Sequence, residues 1–73
     1  MKVKINNRMW RMSHREYQGL LEIAREQVPL GIYAIEKKDY AELRCDKCES
    51  ITKVKKLTRE FKKQGFKVYA NGR

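Results

Sequence analysis

The chain has few prolines, cysteines and histidines, and it has no long apolar run. Among its 73 residues are one proline, two cysteines and one histidine. No apolar run approaches the roughly 18 residues that a membrane-spanning helix needs, and the first six residues alternate in polarity, unlike the apolar stretch of a signal peptide. We therefore expect one basic domain over residues 1–73 that has no membrane partner and resides in the reducing cytoplasm.

Candidate catalytic groups are scarce as well. The single histidine, His14, belongs to no recognisable set with a serine or cysteine nucleophile. The four glycines form no phosphate-binding loop, and Glu22 and Glu26 stand four residues apart among basic residues, as on a solvated helix face. The sequence therefore predicts a protein that is not an enzyme and uses no cofactor.

The two cysteines form one Cys-x-x-Cys pair, Cys45 and Cys48. Structural zinc needs four ligands, and His14 is the one further candidate, so we expect no metal within a single chain; a dimer that pools four cysteines is the alternative. A helix N-terminus would lower the pKa of such a thiol, but the chain lacks the parallel core of thioredoxin-like enzymes. The favoured interpretation is that both cysteines are core residues.

The first 28 residues are predicted to form a hairpin and a helix. Asn6-Asn7 suits a two-residue turn because asparagine tolerates positive φ. Ser13 and Glu16 form a capping box at the start of the helix, and Gly19 lies inside it, where a close backbone approach would explain a glycine. One face of the hairpin collects its apolar residues and is expected to be buried: Met1, Val3, Ile5, Trp10 and Met12.

A second hairpin, a second helix and a last strand follow. The hairpin turns at Lys38-Asp39, and a strand at 66–69 precedes a frayed tail. The helix runs from Cys48 or Ile51 to Gln64, because two residues compete as its N-cap, Asp46 and Ser50. The order ββαββαβ contains βαββαβ, which is the order of ferredoxin-like domains. We therefore predict an α+β domain with a small antiparallel sheet, both helices on one face and an extra N-terminal strand. That strand requires either a reordered sheet or a hairpin that folds over separately.

Positive charge dominates the composition, with 18 lysines and arginines against nine acids. Residues 53–63 hold six cations and one acid, Glu60, a net charge of +5. Like charges at this spacing repel, whereas a polyanion would turn the repulsion into attraction by releasing counterions. A merely solvated helix face is the alternative. The predicted phosphate contacts come from two groups, Lys53, Lys56, Arg59 and Lys63 on the helix and Lys2, Lys4 and Arg11 on the first hairpin.

Aromatic residues beside cations indicate a second type of contact. Tyr33 and Tyr40 flank Arg44 on the predicted outer face of the second hairpin, where bases could stack; a purely structural role in the sheet is the alternative. The favoured function is therefore a small nucleic-acid-binding protein for RNA or DNA. The alternative is an accessory protein of the phage or mobile-element type that binds an acidic host protein or sequesters an anionic nucleotide. A homodimer stays open because a core of this size is thin.

Overall fold

A computed structural model describes residues 1–72. It contains one five-stranded mixed sheet and two helices. The elements in chain order are β1 (Lys2–Ile5), β2 (Arg8–Arg11), α1 (His14–Gln27), β3 (Gly31–Glu36), β4 (Ala41–Lys47), α2 (Ile51–Lys63) and β5 (Lys67–Asn71). The predicted α+β class and the ferredoxin-like element order with an extra N-terminal strand are confirmed. Within residues 1–72 no helix has the length and apolar character to cross a membrane.

The strands lie in the order β2-β1-β4-β3-β5. The predicted register of the first hairpin is confirmed, since Val3 pairs with Trp10 across a turn in which Asn6 and Asn7 both have positive φ. This hairpin does not fold over separately. Its strand β1 joins the sheet beside β4 and runs parallel to it, so the sheet is reordered and is not wholly antiparallel. The parallel pairing aligns the apolar residues of β1 with Ala41 and Leu43 of β4.

Helix α1 covers one face of the sheet. Its buried residues Tyr17, Leu21 and Ala24 pack in one cluster with Val3 and Ala41. The capping box at the start of α1 is present as predicted, and the Ser13 hydroxyl accepts a hydrogen bond from the Glu16 backbone N–H. We refer to this face as the α1 side.

Helix α2 covers the opposite face, which we call the α2 side. In β4, Ala41 and Leu43 face α1, so Glu42 and Arg44, which alternate with them, face the other side of the sheet. On that side the Arg44 guanidinium lies 5.0 Å from the centre of the Phe61 ring of α2. The core cluster around α1 contains no residue of α2. The expectation that both helices share one face is therefore corrected. The physical reason lies in β3, whose residues 31–35 are all buried because each face of this strand carries a helix.

Three local expectations also change. Trp10 is not a core residue, because β2 is an edge strand and leaves the indole 47% exposed. Gly19 has no close backbone neighbour, since a Cβ there would meet nothing within 4 Å. Asn71 does not fray but ends β5, where its side-chain amide donates hydrogen bonds to the carbonyl oxygens of Arg25 and Val28. Arg73, the end of the predicted tail, lies outside the described residues.

Candidate nucleic-acid interface

Local sequence fixes where α2 begins and ends. Of the two competing caps, Ser50 is the one used: its hydroxyl accepts a hydrogen bond from the Lys53 backbone N–H at 3.4 Å. Lys62 and Lys63 lie in the last turn, where cations interact favourably with the helix dipole. Gly65 follows with a φ of 90° and lets the chain leave the helix.

The buried side of α2 is narrow. Val54 is 4% exposed, and Leu57, Thr58 and Phe61 are half-buried. Every other residue of the helix, including all six cations, is exposed. Because apolar side chains occupy one side only, lysine and arginine cover nearly all of the remaining surface of this helix.

The six cations divide into a crest and two shoulders. Lys56, Arg59 and Lys63 continue the line that starts at Thr52 with steps of four, three and four residues, which aligns them along the helix axis; we call these three cations the crest. By the same helical geometry, the shoulder cations flank the crest on its two sides, with Lys55 and Lys62 on one and Lys53 on the other. A groove of about 550 Å³ runs along the first shoulder beside Arg59.

None of these six cations is neutralised within the described chain. Both salt bridges found among residues 1–72 belong to Arg44, whose Nε lies 2.7 Å from Asp46 Oδ2 and whose Nη1 lies 3.5 Å from Glu42 Oε1. Glu60, the one acid of α2, pairs with none of its lysines there. The helix therefore presents its positive charge to the solvent undiminished.

The hairpin cations share the α2 side of the sheet. Lys4 pairs with Glu42, and Lys2 pairs directly with Arg11. Lys2 and Arg11 are both exposed, and like charges directly opposite each other destabilise a strand pair. Since α2 packs over β3 and β5, the hairpin cations form an uncovered shelf beside the helix; we call Lys2, Lys4 and Arg11 the shelf.

Arg44 differs from the other predicted anion-binding residues. Its guanidinium is hydrogen-bonded to Asp46, packs over Phe61 and lies near Glu42. The hydrogen bond that Arg44 donates to the Asp46 carboxylate is the main cause that raises the pKa of Arg44. The role that this geometry gives Arg44 is to join β4 to α2, since its charge is already matched by carboxylates.

The tyrosines do not form a stacking surface beside α2. Tyr33 is 9% exposed and packs against Tyr69 on the α1 side, with ring centroids 6.0 Å apart, so its predicted role in base stacking is corrected. The register shift in β3 between Ile32 and Ala34 accounts for its inward position. Tyr40 is half-buried at the end of the turn between β3 and β4. It is the one predicted stacking residue that stays accessible.

The cysteines are free thiols with different surroundings. Cys45 is exposed, which corrects its expected place in the core, while Cys48 is half-buried with its Sγ 3.7 Å from the Asp46 carbonyl oxygen. Residues 1–72 contain no cluster of three or more potential metal ligands.

A charge difference between the two sides is the feature that sequence reasoning missed. Helix α1 mixes two arginines with three glutamates, and it lies across the sheet from α2. The imbalance between the helices is readable in the sequence, but its conversion into a positive and a mixed side depends on the opposite placement of the helices. This asymmetry is what makes the α2 side a candidate interface for a polyanion.

Comparison with known proteins gives no match, whether the chain is set against family models, curated proteins or solved structures.

Proposed function

We propose that the protein is a small non-enzymatic nucleic-acid-binding protein that holds the phosphate backbone against α2. The observation that supports this most is the set of six exposed lysines and arginines on one helix without a carboxylate partner in the described chain. Solubility alone is served by mixed charges, of the kind found on α1. Binding of a polyanion to this helix is favourable for two reasons: it relieves the repulsion among the helix cations, and it releases the counterions of the polyanion.

In this proposal Lys53, the crest and the shelf make the phosphate contacts. Contacts of this kind position a protein without specifying a sequence, so binding is weakly specific and strongly dependent on salt. Two free cysteines are consistent with a protein of the reducing cytoplasm, which is where we place it. No catalytic step and no cofactor are part of the proposal.

The test is the salt dependence of binding, measured by fluorescence anisotropy with labelled nucleic acid. The crest variant Lys56→Gln/Arg59→Gln/Lys63→Gln is expected to reduce the slope of log affinity against log salt by about 2.7, or roughly 0.9 for each lost contact. The control variant Arg15→Gln/Arg25→Gln/Lys38→Gln loses the same charge outside α2 and the shelf, and we expect it to keep most of the slope. Affinity that stays flat between low and moderate salt, or an equal loss in both variants, would contradict the proposal.

The alternative ligand is a mononucleotide, which the groove along Lys55, Arg59 and Lys62 favours to some degree by bringing cations together. Ligands that bind the folded state raise its Tm. A thermal-shift comparison therefore separates the two: stabilisation by a mononucleotide that equals that by a nucleic acid would support the alternative. We expect the polymer to stabilise more, because the cations extend along the whole helix.

A further inference from the structure

The cations of α2 lie along its outermost line and on both of its flanks. The crest follows the outer line of the helix, and the shoulders add Lys55 and Lys62 on one side and Lys53 on the other. A helix that rested on a single strand would need cations along one line only. Cations on both shoulders suit a ligand with phosphates on both sides of the helix.

A nucleic-acid groove has that arrangement of phosphates. The major groove of B-form DNA is about 12 Å wide and admits an α-helix, whose diameter with side chains is about 10–12 Å. The 13 residues of α2 give it a length of roughly 20 Å at 1.5 Å per residue. Its shoulders would then approach the two phosphate rows that border the groove, while the crest lies between these rows, with its long cationic side chains within reach of their phosphates.

The sheet leaves space for the duplex beside the helix. Because α2 packs over β3 and β5, it leaves β1 and β2 uncovered on this side of the sheet and projects beyond their surface. In the strand order these lie two and three strands from β3, or roughly 10 and 14 Å away at about 4.8 Å per strand. A duplex centred on α2 therefore brings one phosphate backbone over the shelf of Lys2, Lys4 and Arg11.

Recognition of single strands lacks its usual chemistry on this side. Bases of single strands stack on exposed aromatic rings, but Tyr33 and Trp10 belong to the α1 side, where Arg8 lies over the indole at 5.2 Å. Tyr40 offers one half-buried ring at the turn between β3 and β4, and a single ring cannot stack successive bases. The rings beside α2 itself are those of Phe61 and Phe66. Both are half-buried, and a cation covers each of them.

An RNA duplex is disfavoured by its shape. The major groove of A-form RNA is deep and narrow, and side chains cannot read it. Resting on the proposed function, the geometry points to duplex DNA as the polyanion, with α2 in the major groove and the shelf on the adjoining backbone.

The experiment compares three ligands of one sequence by anisotropy in about 0.15 M salt: a short DNA duplex, the RNA duplex and the single DNA strand. The slope of log affinity against log salt is about −0.9 per contact on duplex DNA and about −0.7 per contact on a single strand. At this salt concentration the six contacts of α2 alone therefore amount to about tenfold tighter binding of the DNA duplex than of the single strand. The crest variant and the matched shoulder variant Lys53→Gln/Lys55→Gln/Lys62→Gln should each lose about a hundredfold in affinity for duplex DNA, since each removes about three contacts. Circular dichroism of each variant checks that it is folded.

Chemical probing locates the groove. Dimethyl sulfate methylates guanine N7 in the major groove and adenine N3 in the minor groove. We expect saturating protein to protect N7 and to leave N3 reactive. Protection of N3 instead, or loss of affinity in the crest variant alone, would overturn insertion into the major groove.

The outcomes distinguish the inference from the proposal beneath it. Equal or tighter binding of the single strand or the RNA duplex overturns duplex DNA as the ligand and leaves nucleic-acid binding in place. Absence of salt-dependent binding to all three ligands overturns the proposed function itself and the inference with it.

Discussion

Removal of the side-chain hydroxyl should destabilise the protein at one tyrosine, Tyr69, and should not destabilise it at another, Tyr17. The Tyr69 hydroxyl donates a hydrogen bond of 2.8 Å to Glu36 Oε2 at the border of the core. Tyr17 is 1% exposed, and its hydroxyl is buried without a hydrogen-bond partner in the described chain. Tyr→Phe is the same chemical change at both positions, so each variant serves as the control for the other.

The expected magnitudes follow from burial and bonding. A hydrogen bond to a charged group contributes about 1.5–3 kcal/mol. Because Tyr69 is only half-buried, we expect Tyr69→Phe to lower the free energy of unfolding by about 1–1.5 kcal/mol. An unpaired buried polar group costs about 1–3 kcal/mol, so Tyr17→Phe should leave stability unchanged or raise it by about 1 kcal/mol.

Urea unfolding followed by circular dichroism measures both changes, and Tm provides a second reading at roughly 4–8 °C per kcal/mol for a domain of this size. A Tyr17→Phe variant destabilised by more than about 1 kcal/mol would refute the reasoning. That result would mean that the hydroxyl is hydrogen-bonded in solution, with Glu36 as the nearby acceptor.

Tyr17 and Tyr69 also make the protein less stable as the pH rises into the alkaline range. Burial raises the pKa of the Tyr17 hydroxyl above its ordinary value, and neighbouring Glu36 raises it further; burial also raises the pKa of Tyr69. Above pH of about 10 the unfolded chain loses protons that the folded chain retains, so stability falls by up to about 1.4 kcal/mol per pH unit for each tyrosine. Tyr17→Phe should make this decline shallower, and an unchanged slope would contradict the assignment.

Two further predictions concern backbone geometry and the end of α1. Gly19→Ala should stabilise the protein by about 1 kcal/mol, because it lies inside a helix with open space around it. Gly31→Ala should prevent stable folding, because Gly31 has a φ of 143° and its Cβ would overlap the Asp46 carbonyl oxygen; thermal unfolding of the two variants in parallel tests the contrast. Asn71→Ala should cost about 1–2 kcal/mol by removing the hydrogen bonds from its amide to the carbonyl oxygens of Arg25 in α1 and of Val28, the C-cap residue of α1. Hydrogen exchange in the last turn of α1 should then be faster, and unchanged protection there would count against this role.

Much of the fold could be predicted because its signals are local. Asn6-Asn7 sets the first turn, and Ser13 with Glu16 caps the first helix within a few residues of sequence. The cationic character of α2 is equally local, since one helical stripe of apolar residues leaves the lysines and arginines to the solvent. For the start of α2 the sequence offered two caps, and the structure selects Ser50.

The errors concern contacts between distant segments. Tyr33 was expected to face outward by strict alternation, but β3 carries a helix on each face and a register shift besides. The uninterrupted apolar run 32–35 is typical of a strand buried on both faces, and it is the signal that could have indicated the correct packing. Trp10 has the predicted strand partner but lies at a sheet edge, which pairing within one hairpin does not reveal.

The sequence by itself determined which segments are helices and strands, because caps, turns and periodicity act over a few residues. It also determined that one helix carries a net charge of +5. Only the tertiary structure decided that the helices lie on opposite faces and that the shelf cations lie on the same side as α2. The reason is physical: the face that a helix covers depends on strand order and pairing across the whole sheet, and no local preference of the chain specifies it.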